Sequence, residues 1–122
     1  MRTICPVFRY ADARAAIDWL CAAFGFRVHA VHEGPDGTVA HAELVFGTGM
    51  IMVGAGAGPG ARPADDDYAV YVCVDDVDAH HERARAAGAE VAREPFDTDY
   101  GSRDYVARDL AGNVWSFGTY RA

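Results

Sequence analysis

The sequence predicts an α+β fold, with two repeated βαβββ modules forming curved mixed sheets around a central trough. Three observations carry this expectation. The order strand, helix, strand, strand, strand occurs twice, on either side of a stretch rich in glycine, alanine and proline. In each half an aspartate opens the helical pattern and a glycine stops it, Asp12 with Gly25 and then Asp76 with Gly88. Setting Asp12 on Asp76 brings Phe24-Gly25-Phe26-Arg27-Val28 onto Ala87-Gly88-Ala89-Glu90-Val91, one residue out of step. A single module of about sixty residues would leave one sheet face wet, whereas two placed edge to edge enclose a trough where a ligand would sit.

The elements follow in order. β-Branched and aromatic residues make 3–10 a strand, with Pro6 marking an edge or bulge. Ala16, Ile17, Leu20, Cys21 and Phe24 then share one helical face. Strands are expected at 26–33, 38–46 and 50–53, separated by the turns Gly34-Pro35-Asp36-Gly37 and Gly47-Thr48-Gly49. Residues 54–67 lack periodicity and read as a linker, and their closing Asp65-Asp66-Asp67 reads as solvated chain rather than a metal site. The single domain thus divides into a first module over about 1–56, a linker over about 57–67 and a second module over about 68–122. The second module reads as a strand at 68–74, a helix opened by Asp75 and Asp76 that runs to about Ala87, and a short strand around Val91. A polar loop at 94–102 and strands at 103–109 and 114–120 complete it.

Composition narrows the function classes. The net charge is −7 and all eleven basic residues are arginine, so the clustered positive charge that nucleic acid or an anionic membrane requires is missing. A cationic or neutral small ligand is compatible. Cys5, Cys21 and Cys73 match no zinc or CxxC spacing and read as buried free thiols, which suits a reducing cytoplasm. No apolar stretch has the length of a signal peptide or a membrane span. Phosphate loops and nucleophile elbows are likewise not found.

The repeated plan resembles the glyoxalase/bleomycin resistance/dioxygenase (vicinal oxygen chelate) superfamily over nearly the whole chain. The resemblance is carried by residues 12–26, His41-Ala42-Glu43-Leu44, Val74-Asp75-Asp76-Val77-Asp78-Ala79 and Arg108-Asp109-Leu110-Ala111-Gly112-Asn113-Val114-Trp115. The Asp-x-x-Gly-Asn turn is its most specific part: Asp109 and Asn113 can bond turn backbone, and Gly112 can take a positive φ. In metal-dependent members each module supplies two ligands, one on its first strand and one on its last. Here the resemblance puts those positions at Cys5, Met52, Ala69 and Ser116. One thiol, one thioether, one methyl and one hydroxyl do not make a site for a hard or borderline divalent ion. The resemblance therefore points to the metal-free branch: a cytoplasmic homodimer holding a small molecule in the trough, with no cofactor, as bleomycin-resistance-type proteins do. Acidity would attract a cationic compound and aromatic residues would stack on its rings. The alternative is a metal-dependent lyase, isomerase or dioxygenase using a relocated site.

Several residues are singled out for that trough. His41 and Glu43 are two apart on a strand and face one side, as a polar anchor, an acid–base pair or ligands of a relocated metal. Phe8, Tyr71, Tyr105, Trp115 and Phe117 lie on strands that would line the trough, as packing or as a stacking surface. Arg103 could clamp a ligand carboxylate or pair internally with Asp97, Asp99 or Asp104. Tyr100 and Gly101 sit in the 94–102 loop, which is long enough for a lid. His29 and His32 face opposite sides of their strand, and His80 and His81 diverge by about 100° on a helix, so neither pair makes a site. Trp19 is expected in packing or at an interface.

Overall fold

A computed structural model describes residues 2–56 and 69–121. The linker expected at 57–67, with Asp65, Asp66 and Asp67, and the start of the following strand at Tyr68 lie outside the described residues. The chain divides into two compact units, Met1–Ala61 and Arg62–Ala122. Among the described residues each contains a four-stranded mixed sheet and one helix, so the α+β class and the repeat are both present.

The first unit runs β1 (Val7–Tyr10), α1 (Ala13–Phe24), β2 (Arg27–Glu33), β3 (Val39–Phe46) and β4 (Gly49–Ala55), with sheet order β1-β4-β3-β2. The second runs β5 (Val70–Cys73), α2 (Val77–Ala86), β6 (Glu90–Asp97), β7 (Arg103–Arg108) and β8 (Val114–Gly118), in the matching order β5-β8-β7-β6. In both, the first strand pairs in parallel with the last, and the remaining pairs are antiparallel.

The helix signals act as expected. The Asp12 carboxylate accepts from the Ala15 amide at 3.0 Å, and the Asp76 carboxylate accepts from the Ala79 amide at 3.0 Å. Each bond satisfies an amide that a first helical turn leaves without a partner. Gly25 at φ 85° and Gly88 at φ 93° take the left-handed conformation just past each helix.

Several boundaries differ from expectation. β1 begins at Val7 rather than Thr3, because Pro6 supplies no amide to the ladder. β4 is longer than expected, since register with β1 carries it through Gly54 and Ala55. β6 is eight residues long rather than a short piece around Val91. Two register shifts let it absorb Arg93 to Phe96, Pro95 included. The 94–102 loop expected as a lid therefore gives its first part, 94–97, to strand. Its remaining turn is pinned by the Thr98 amide donating to the Ser102 carbonyl at 2.8 Å and by a 2.9 Å hydroxyl contact between Thr98 and Ser102. The three cysteines are in no disulfide and are half-buried rather than buried.

Register assigns every strand residue to a face. In the first sheet Phe8, Val53, Ala42 and Val31 form one row, on the side of the buried α1 residues Ile17, Leu20 and Phe24. In the second, Val70, Trp115 and Ala107 form one row and Val72, Phe117 and Tyr105 the next, beneath α2. Fully burying side chains of this size contributes about 2–3 kcal/mol each.

Candidate functional site

The faces turned away from the helices carry the polar chemistry. On the first sheet a row runs Arg9, Gly54, His41, His32 from β1 to β2, and the next row runs Val7, Met52, Glu43, Ala30. The His32 and His41 rings are 5.1 Å apart, and His32 Nε2 is 3.9 Å from Glu43 Oε2. His41 Nε2 is buried and has no hydrogen-bond partner. The Arg9 side chain lies over Gly54, where an added Cβ would stand 3.3 Å from its guanidinium. Phe8, by contrast, has its place in the row on the α1 side. Sequence reasoning separated His32 from any site because it looked only along β2. Its partner His41 is across the ladder, and register was the missing information.

On the second sheet the corresponding face holds Tyr71, Ser116, Val106, Asp104 and Gly118. Asp104 is buried, and its Oδ1 accepts from the Tyr71 hydroxyl at 3.0 Å and the Ser102 hydroxyl at 3.1 Å. The Tyr71 oxygen in turn accepts from the Tyr120 amide at 3.0 Å. Gly118 lies directly beneath this meeting, and a Cβ there would overlap both Asp104 Oδ1 and Tyr71 Oη. Burial, joined by the neighbouring Asp104 carboxylate, pushes the Tyr71 phenol up to about 12 against the opposing pull of the Tyr120 amide. Tyr71 therefore stays neutral and keeps donating to Asp104.

The tyrosine rings extend this cluster. Tyr120 stands at right angles to both Tyr71 and Tyr100, with centroids 6.5 and 5.9 Å away. Tyr120 was not singled out from sequence. It lies just past β8, and no spacing rule connects it with Tyr71, 49 residues earlier.

Other residues singled out from the sequence lie on the helix side of their sheet or on the helices. Tyr105, Trp115 and Phe117 are fully buried on the α2 side, so they fill the core instead of offering a stacking surface. His80 Nδ1 is 2.6 Å from the Tyr105 hydroxyl, and the His81 ring packs edge-on against Tyr105. His81 Nε2 approaches Glu94 Oε2 at 2.8 Å but out of line for a hydrogen bond. Arg103 also faces α2. Its guanidinium makes two bonds to Asp78, at 3.0 and 3.2 Å, and one to Asp97 at 3.1 Å, so it is an internal brace rather than a ligand clamp. The Asp97 partner follows the sequence expectation, while Asp78 required knowing that α2 covers β7. Trp19 packs edge-on against Phe24.

Burial also pushes the Tyr105 phenol up. Both phenols thus hold their protons to higher pH when folded than an unfolded tyrosine does, near 10. The folded state binds more protons in that window. The stability that these two phenols contribute is therefore fully present below about pH 10 and is lost as pH rises toward and past about 12. Thermal denaturation between those limits is expected to fall less steeply for Tyr71→Phe than for wild type, and equal slopes would refute the Tyr71 assignment.

Among the described residues no group of three or more His, Cys, Asp or Glu side chains is placed to hold a metal ion. The strand-end turn of the second unit is organised by Asp109, which is buried. Asp109 Oδ1 accepts from the Ala111 and Asn113 amides at 2.9 and 3.0 Å, and Oδ2 accepts from Asn113 Nδ2 and Trp115 Nε1 at 3.0 and 3.1 Å.

The family model for the glyoxalase/bleomycin resistance protein/dioxygenase superfamily matches residues 6–117. The chain belongs to this superfamily. TioX from Micromonospora sp. ML1 is 34% identical, with a TM-score of 0.79 over 99% of this chain and 98% of that one. An uncharacterised protein of Mycobacterium bovis is 32% identical over 115 residues, covering 88% of this chain and 76% of that protein. A superfamily enzyme from Burkholderia phytofirmans, 22% identical with a TM-score of 0.73 over 92% of this chain and 93% of that one, shares the fold. No helix among the described residues is long and apolar enough to cross a membrane.

Proposed function

We propose that this superfamily member binds a small molecule without a resident metal ion, in the manner of bleomycin-resistance-type proteins, as a homodimer in the cytoplasm. Donor chemistry carries the reading. The superfamily's metal positions correspond here to Cys5, Met52, Ala69 and Ser116, and these side chains do not fit a divalent ion. Register puts Met52 and Ser116 on the faces turned away from the helices, where ligands would have to point. What those faces offer instead is hydrogen bonding and aromatic surface.

Thermal denaturation against bleomycin and other planar cationic antibiotics tests this. A ligand at one hundred times its Kd stabilises the native state by about 2.7 kcal/mol, so a hit raises Tm by several degrees. Metal analysis after incubation with nickel, zinc, manganese and iron(II) supplies the opposing outcome. Near-stoichiometric metal that disappears in His41→Ala, together with silence across the antibiotics, would replace this reading with a lyase, isomerase or dioxygenase.

A further inference from the structure

We propose that Tyr71, Tyr100 and Tyr120 form a seat for an organic cation, one whose positive nitrogen is alkylated or delocalised. This rests on the small-molecule reading above and names the class of group that the second unit would hold. The three rings are 41%, 68% and 50% exposed, so contiguous aromatic surface is left in water. Rings set at right angles also leave faces open that parallel stacking would cover, and an aromatic face is the negative part of the ring's charge distribution.

The surrounding charges favour a cation over a neutral ring. Asp104 accepts the Tyr71 hydrogen bond from behind, which makes that ring richer in electrons. Asp99, next to Tyr100, is exposed and has no basic partner among the described residues. The arginines adjacent in sequence are already neutralised, Arg103 by Asp78 and Asp97, and Arg121 by Asp75. The chain as a whole carries −7 and so concentrates cations at its surface. The same unit already seats one of its own cations in this way, with the Arg93 guanidinium carbon 3.5 Å from the centroid of Phe96.

The test compares choline with its uncharged isostere 3,3-dimethylbutan-1-ol by NMR titration of the full chain, following the tyrosine ring signals. Choline is expected to shift the signals of Tyr71, Tyr100 and Tyr120, and the alcohol is expected to leave them in place. Tyr100→Ala and Tyr120→Ala should each weaken choline binding about threefold. Tyr100→Phe and Tyr120→Phe, which keep the ring faces, should bind as wild type does. Equal binding of the alcohol, or full binding by the alanine variants, overturns the proposal. So does conversion of a dimer to a monomer by the double alanine variant, which would assign the patch to a second copy of the chain. An antibiotic whose Tm shift survives in the double variant removes this seat and leaves the small-molecule reading standing. Choline shifts at the three rings without any antibiotic hit do the reverse.

Discussion

Asp109→Ala is expected to lower stability by about 3 kcal/mol, or roughly 10 °C in Tm. The Asp109 carboxylate is buried and takes bonds from two amides, the Asn113 side chain and the Trp115 indole. Removing it leaves four donors without an acceptor, and Trp115 Nε1 is on a fully buried side chain that water does not reach. Bonds to a charged group are among the stronger ones, and a stranded buried donor costs its desolvation in full. Asp109→Asn keeps the shape but turns one acceptor into a donor, so it should cost about half as much. Chemical denaturation of Asp109→Ala, Trp115→Phe and the double variant checks the coupling. The double variant should cost less than the sum of the singles, and strict additivity would show that the indole bond contributes nothing.

Gly118→Ala should be nearly as damaging, at about 3 kcal/mol, for a different reason. The added methyl would occupy the space where Asp104 Oδ1 and Tyr71 Oη meet. Asp104 is buried and its oxygen is also held by Ser102, so it has little room to retreat. The expected relief is for Tyr71 to swing away, which breaks its bond to Asp104 and returns its phenol toward the ordinary value near 10. A tyrosinate absorbance titration reads this directly. Loss of stability with an unchanged titration would mean that the strain is taken up elsewhere. Asp104→Ala in the same chain should recover part of the loss, because it removes the larger of the two overlaps.

Much of the fold was legible in the residues. Asp12, Gly25, Asp76 and Gly88 mark both helices through local chemistry, and local chemistry is what a sequence displays. The Asp109–Asn113 turn was legible for the same reason. The strands were harder where pairing overrides composition. Pro95 and the charges around it read as loop, yet bulged pairing with β7 draws them into β6. The candidate site was the least legible part. His41 and Glu43 do share a face, as their spacing requires. Trp115, Phe117 and Tyr105 share a face too, but their spacing could not say that α2 covers it. Nor could any spacing bring Tyr120 to Tyr71, or reveal that Gly118 exists to let Asp104 and Tyr71 touch. Those facts belong to cross-strand register, which is set by the whole sheet at once.

The parallel pairing of first strand with last also bears on how the chain is made. As the protein leaves the ribosome, Val7–Tyr10 emerges before the other strands of its half, but its sheet neighbour among the described residues, Gly49–Ala55, is the last of them to be synthesised. Until then the hairpin of β2 and β3 can form, while the β1 segment waits for its ladder. Translation at about 5–20 residues per second gives that wait a duration of seconds. The second half repeats the problem, with Val70–Cys73 waiting for Val114–Gly118. Nascent chains stalled with Gly49–Ala55 still inside the exit tunnel and with it just outside should therefore differ sharply in resistance to protease, with the first half protected only in the longer one.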